Sequence, residues 1–325
     1  MHGRLPALLL ALAPLACAAP QPVSTPVALF DGATLQGWHA LGDARYTVDD
    51  GCILGEVGGG GQSFLVSDGR YGDFVLELDV KNELPGNSGV QVRSQVREDG
   101  RLFGYQIEID PSERAWSGGL YDEARRGWLD DLADDAAARA AFRGAEWNRY
   151  RIECRGTWIR AWVNGVPTAD ALDAMDLEGH IALQVHSGND TRVRWRVLQM
   201  IDFGTRRWQA VPVTPPWTSV AIQGDGGAAR YVVRPDPARP EELELKVDFD
   251  GQVRTFQRGV PEGAAESPVT VDVLWQGRRW AVQLAGITTW TGTFDADRTL
   301  TSRVALSSGP GHTLVSASTL ALPTR

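Results

Sequence analysis

The feature that most constrains this chain is a recurrence of short segments in which apolar and polar residues alternate with period two. Residues 71–80, 90–96, 105–110, 150–155, 159–164, 181–186 and 193–197 all show it, each bounded by Gly, Pro, Asn or Asp. That period places one set of side chains on each side of an extended strand. Many short strands at this spacing build a sandwich or jelly roll. The 36 Gly suit the turns between them, and a hydrophobic content of 43% can fill a core. The chain is therefore expected to be all-β. One short helical insertion is expected over 130–142, where DDLADDAAARAAF is Ala-rich, Arg139 lies late and Gly144 follows. Its acids (Asp130, Asp131, Asp134, Asp135) are read as complementing the helix dipole rather than holding calcium.

A length of 325 residues suggests two domains. Residues 1–18 read as an export signal: Arg4, an apolar stretch over 8–13, then small residues. Two processing readings stand. Ala16-Cys17-Ala18 fits a signal-peptidase site, whereas Leu15-Ala16-Cys17 resembles a lipobox that would lipidate Cys17. The protein is thus expected in the bacterial periplasm, on the outer membrane as a lipoprotein, or outside the cell. Residues 19–27 form a Pro-rich linker, 28–207 a first β domain, and 208–325 a second, smaller one. The second opens with the linker-like WQAVPVTPP and alternates again over 241–250, turning at Asp250-Gly251. Its Trp217, Trp275, Trp280 and Trp290 read as core aromatics rather than a sugar-binding platform. Cys52 and Cys154 sit in strand-like patterns and read as buried free thiols. A formal charge of −9 argues against a nucleic-acid partner. No apolar run after residue 20 approaches the ~18 residues of a membrane span.

Strand parity identifies a polar face. Gln91 and Arg93 oppose Val90 and Val92; Gln106, Glu108 and Asp110 oppose Tyr105, Ile107 and Ile109; Gln184 and His186 oppose Ile181, Leu183 and Val185. If these strands are neighbours, carboxylates, imidazole, guanidinium and amides share one face, unless it is an ordinary solvated one. Trp116, Tyr121 and Trp128 follow in the next segment. Aromatic planes beside amides and carboxylates suit sugar rings, with their apolar faces and hydroxyl edges.

A set of motifs carries a family resemblance. The opening LFDG…LQGW (29–38), YGDF (71–74), GNSGVQVRS (86–94), GYQIEIDPSERAWSGGLYDEARRGWL (104–129), EWNRYRIE (146–153), WVNGVP (162–167) and IALQVHSG (181–188) occur in order. Together they resemble the 3-keto-disaccharide hydrolase domain family over about residues 28–203. The last 115 or so residues are not covered.

The resemblance implies a concanavalin-A-like jelly roll. It also implies an exported bacterial enzyme that cleaves glycosides already oxidised to a ketone at C3, a 3-keto oligosaccharide or glycoside being the partner. Such chemistry needs a base for the C2 proton, a donor to the enolate and an acid for the leaving group. On that reading His186 is the base or the acid, and Glu108 or Asp110 is its counterpart or orients it. Arg93 supplies a fixed charge for the enolate oxygen. Asn87, Gln91, Gln106 and Gln184 bind hydroxyls, while Trp116, Tyr121 and Trp128 wall the sugar. The resemblance fixes no cofactor, and a divalent metal held by His186 and carboxylates could replace Arg93 as electrophile.

Two other readings compete. A carbohydrate-binding lectin would need only the aromatics and amides. A laminarinase-type retaining glycosidase places three acids on one strand, and Glu108, Asp110 and Glu113 match its ExDxxE spacing. Pro111 cannot donate to a strand ladder, so Glu113 is expected to leave that row.

Overall fold

A computed structural model of the chain describes residues 25–188, 191–221, 226–239, 242–259, 267–295 and 303–321. The expected export signal, with Cys17, lies outside the described residues. Among the described residues no helix is long and apolar enough to cross a membrane. The strands form four antiparallel sheets, two of them built wholly from residues 27–202. In the first, Val166–Leu172, Trp158–Val163, Asn148–Arg155, Phe74–Asn82, Arg192–Asp202, Cys52–Glu56 and Arg45–Asp49 lie side by side in that order, and Val27–Ala28 also pairs with Arg192–Asp202. The second has seven strands, ordered Gly127–Asp130, Leu120–Glu123, Leu102–Ile109, Ser88–Val96, His180–Val185, Ser63–Ser67 and Trp38–Leu41. The jelly-roll sandwich is thus present, and its neighbouring strands are often distant in sequence.

Parity decides what each strand buries. Val90, Val92, Tyr105, Ile107, Ile109, Ile181, Leu183 and Val185 turn inward from the seven-stranded sheet. They meet Leu76, Leu78, Tyr150, Ile152 and Trp195 from the other, and none of these side chains is more than 2% exposed. Burial of each contributes roughly 1.5–3 kcal/mol. Cys52 and Cys154 are buried free thiols. Burial pushes the Cys154 thiol up to about 11, which leaves it inert as a nucleophile at neutral pH.

The helical insertion is shorter than its composition predicts. Only Ala136–Arg139 is α-helical, capped by Asp135, whose carboxylate accepts the Ala138 N–H at 2.9 Å. Asp130 instead ends a strand and accepts the Asp170 N–H at 2.8 Å, and Asp131 accepts that of Ala133 at 2.9 Å. Short acidic side chains compete with the helix for backbone donors. Asp135 therefore caps, and no acid occupies the first turn to complement the dipole.

The second, smaller β unit pairs a six-stranded sheet with a four-stranded one, using strands from Gln209–Val211 to Thr313–Ala321. Trp275 and Trp280 are buried in its core and Trp290 packs against it, as expected of structural aromatics. Asp250 and Gly251 both have positive φ (52° and 93°), as a two-residue hairpin turn requires. The two sandwiches meet through an apolar contact of Leu172 and Ala174 with Ala228, Leu274, Ala281 and Leu320. Asp173, 2% exposed, ties this contact together. Its carboxylate accepts from the Tyr105 hydroxyl, from Arg126 at 2.8 Å and from Gln283 Nε2 at 2.8 Å.

Candidate active site

The face of the seven-stranded sheet turned away from the core carries the candidate site. Across all seven strands His39, Val66, Ala182, Gln91, Gln106, Tyr121 and Trp128 stand opposite one another in a row. A parallel row holds Leu41, Phe64, Gln184, Gly89 and Glu108. This is not a solvated outer face: Gln91 and Gln184 are 0% exposed, Gln106 2% and Glu108 4%. Phe64, Val66, Ala182 and Leu102 make one half apolar. The other half is a polar array.

That array is a directed hydrogen-bond relay. Ser94 Oγ donates to Gln91 Oε1 at 2.6 Å, Gln91 Nε2 to Gln106 Oε1 at 2.6 Å, and Gln106 Nε2 to Glu108 Oε2 at 3.2 Å. Asn87 Nδ2 donates to the other Glu108 oxygen. An ionised carboxylate only accepts, so it fixes the direction of every amide behind it. Gly89 makes room for the relay: a Cβ there would stand 2.4 Å from Gln106 Cδ. Burial pushes the Glu108 carboxyl up to about 7, the Asn87 and Gln106 bonds offsetting only part of that. A carboxyl at this value exchanges its proton near neutral pH, as general acids and bases must.

His186 follows directly on the His180–Val185 strand and is half-buried. Its Nδ1 lies 2.7 Å from the Ser187 carbonyl, so in the neutral ring Nδ1 carries the hydrogen and Nε2 keeps a lone pair. The His186 backbone N–H points to the Asn87 carbonyl at 3.4 Å. Asn87 therefore touches both proton-transfer candidates.

Asp110 does a different job. Its carboxylate accepts from the Ser112 N–H at 3.1 Å, the Arg114 Nε at 2.7 Å and the Trp116 N–H at 3.4 Å. Burial alone would raise its pKa, but the bonds from Ser112 and Arg114 outweigh that and hold it below the usual carboxylate value. Asp110 thus staples the loop that presents the aromatic wall, and is not free to pair with His186. Trp116 and Tyr121 each meet Trp128 edge-on, at 4.8 and 5.0 Å between ring centroids. Arg114 lies over Trp116 and Trp128, 4.9 and 5.2 Å from their centroids.

Arg93 is a correction to the parity reading. The strand bulges between Val92 and Gln95, and Arg93 takes φ 49° there, which turns its side chain away from Gln91. Its guanidinium is fully buried and donates to the Gly72 carbonyl at 2.7 Å, the Gly156 carbonyl at 2.6 Å and Asp73 at 3.1 Å. Arg93 is a structural residue. Gln184 lies on the expected face, and neither of its amide atoms has a hydrogen-bond partner. Glu113 is exposed beyond the end of the Leu102–Ile109 strand, so the three-acid row of a laminarinase does not form.

Sequence reading missed Arg114 and Glu123. The four-residue spacing from Asp110 could have marked Arg114, and parity with Tyr121 could have marked Glu123. Burial raises the Glu123 carboxyl, while the charges of Arg101 and His186 pull it back. The residues present do not fit a metal centre: both Glu108 oxygens face amide donors and Asp110 is bound to Arg114. Among the described residues no three His, Cys, Asp or Glu side chains gather as a metal would need.

Two cavities flank the site. One of about 430 Å³ lies beside the apolar half, lined by Leu41, Gln62, Phe64, Asp99, Arg101 and Leu102 among others. The larger, about 810 Å³, opens beyond Trp128 between the two sandwiches rather than over Glu108.

The family model of the 3-keto-alpha-glucoside-1,2-lyase-like domain matches residues 25–201, more than half of the chain. A Bacteroides thetaiotaomicron protein named 3-keto-disaccharide hydrolase is 36% identical over 74 residues, a match spanning 20% of this chain and 26% of that protein. A solved Parabacteroides distasonis structure described as a glycosyl hydrolase is 19% identical with a TM-score of 0.41, covering 55% of this chain and 94% of that one. A carbohydrate-binding module of Bacillus subtilis is 17% identical with a TM-score of 0.40, covering 51% and 96%. The chain belongs to the 3-keto-alpha-glucoside-1,2-lyase-like domain family.

Proposed function

We propose that the protein is an exported enzyme that cleaves the glycosidic bond of sugars carrying a ketone at C3. The observation that carries this reading is Glu108, a buried carboxyl with a pKa near 7 on a face built of amides and bordered by aromatic rings. Sugar binding alone has no use for a carboxyl held at neutral pKa, whereas leaving-group protonation does.

The C3 ketone acidifies the hydrogen at C2. His186 Nε2 takes that proton, and the C–H electrons form an enolate whose negative charge rests on the ketone oxygen. Arg114, whose Nε is bound to Asp110 while its side chain stays 44% exposed beside the aromatic wall, takes the enolate role that the family resemblance gave Arg93. Collapse of the enolate expels the C1 oxygen, which receives the Glu108 proton, and leaves a C1–C2 double bond conjugated to the ketone. Water adding at C1, with a proton to C2, completes net hydrolysis. The unpaired amide of Gln184 supports recognition of a ring hydroxyl, while Gln91, Gln106 and Asn87 are engaged in the relay that holds Glu108.

Glu108→Gln and His186→Ala test these roles on 3-keto-glucosides with alkyl and nitrophenyl leaving groups. Loss of the acid should slow alkyl release by about 10²–10⁴-fold and largely spare nitrophenolate, which leaves without a proton. Loss of the base should slow both. Wild-type rates of alkyl release from Glu108→Gln contradict the assignment.

A further inference from the structure

We propose that the cleft between the two sandwiches binds the leaving-group sugar of the substrate, so that the C-terminal unit completes the site. This rests on reading the Glu108 face as a site of glycoside cleavage. Three observations carry it.

The first is continuity. The row Gln106, Tyr121, Trp128 runs perpendicular to the strands and ends at the sheet edge, and Trp128 also lines the cleft. From the Glu108 strand to the Trp128 strand is two strand spacings, about 10 Å, which a leaving-group sugar can span. A ligand lying along the row passes over Trp128 into the cleft.

The second is the chemistry of the walls. Thr288, Thr291 and Thr293 line one side from the edge strand Ile287–Thr293, with Ile287 beside them. The first sandwich brings Trp128 and Asp130, with Asp170 already held by Arg279 and Trp158. Hydroxyl and carboxylate groups around an aromatic surface match the edges and faces of a pyranose. The charges do not favour an anion, because the lining arginines are already paired. Arg125 and Arg126 bind Asp122, Asp173 and Asp176, and Arg279 binds Asp170. A neutral polyhydroxylated ligand suits such a cleft better than a phosphate.

The third is size and rigidity. A volume of about 810 Å³ falls within the ~300–1,000 Å³ of small-molecule sites. The walls are fixed relative to each other by the buried apolar contact between the sandwiches and by Gln283, which donates to Asp173 and accepts the Ala174 N–H at 3.0 Å. A wall set before the ligand arrives costs little ordering on binding.

The test fills the cleft in the full chain with Thr291→Trp and, as a second variant at another exposed position, Ile287→Trp. The kcat/KM for a 3-keto-disaccharide is compared with that for methyl 3-keto-glucoside, which has no leaving-group sugar and reports whether each variant is folded. Wild type should prefer the disaccharide, and each variant should cut that preference about ten-fold, mainly through KM. Gln62→Trp, which fills the cavity at the other end of the face, is the comparison. An unchanged preference in both cleft variants, a shift seen only with Gln62→Trp, or no wild-type preference overturns the proposal while leaving the Glu108 reading intact. A wild type that turns over neither glycoside sinks that reading and this proposal with it.

Discussion

At Glu108 two opposing effects meet. Burial favours the neutral acid, two amide donors favour the carboxylate, and burial wins by enough to bring the carboxyl from 4.5 to about 7. The sign of the consequence for stability follows from linkage. The folded state holds this proton more tightly than the unfolded chain, so the contribution is full below about pH 4.5 and is lost as pH rises through 7. Between those limits wild type should lose on the order of 3 kcal/mol relative to Glu108→Gln. Urea unfolding of both proteins at pH 4.5 and pH 8 measures it, and parallel pH dependence would contradict a raised carboxyl. Parity made Gln91, Gln106, Glu108 and Gln184 legible in the sequence because each sits in an unbroken stretch of ladder. It failed at Arg93 because a single residue at positive φ inverts the side chain, and no composition signal marks a bulge at a non-glycine position. The part Asp110 plays was also hidden, since carboxylates on a strand and at its end look alike until the loop's backbone donors are placed.

Among elements, the strand Ser88–Val96 matters most to the site. It carries Gln91 and lets Gln106 lie across Gly89. It then bulges so that Arg93 can fill the interior. Gly179 packs against that bulge so closely that a Cβ would stand 2.2 Å from the Arg93 carbonyl carbon. Gly89→Ala separates the relay from the fold. The neighbour it displaces is a side chain rather than backbone, so a cost of about 1–3 kcal/mol is expected. A drop in kcat well beyond what the lost folded fraction explains should accompany it as Gln106 is pushed off Glu108. Wild-type kcat in the folded variant would show that the relay has no part in turnover. Strand existence was legible where the alternation is regular, as in segments 150–155 and 159–164, which fall on Asn148–Arg155 and Trp158–Val163. The helix was not, because Asp side chains diverted the backbone donors that a run of Ala would otherwise have kept. Only 2 of 32 basic residues are Lys, and the outer sheet, the one that contains Phe74–Asn82, shows a use for Arg. Arg160 binds Glu153 at 2.8 Å while lying over Trp158, and Arg196 lies over Trp147. Planar guanidinium groups can pair and stack together, which an ammonium cannot do as well.

At the scale of the molecule, two sandwiches share a buried contact, and the strand that carries Glu108 is tied to it through the Tyr105 hydroxyl on Asp173. Two β units were legible from alternation and a Pro-rich break. Their docking was not, because Leu172, Leu274 and Leu320 come from distant segments that no pattern in the sequence links. The acidic excess belongs to residues 1–207, with 21 basic against 29 acidic side chains, yet many of these charges neutralise one another in pairs across the outer sheet. The proposed reaction makes one chemical demand, that the sugar bear a ketone before the glycosidic bond can break. Aglycone release by the full chain from a 3-keto-glucoside and from its unoxidised parent tests that demand most directly. Release from the ketone alone is expected, with transient absorbance of the conjugated enone. Equal release from the unoxidised glycoside, or none from the ketone, would contradict it.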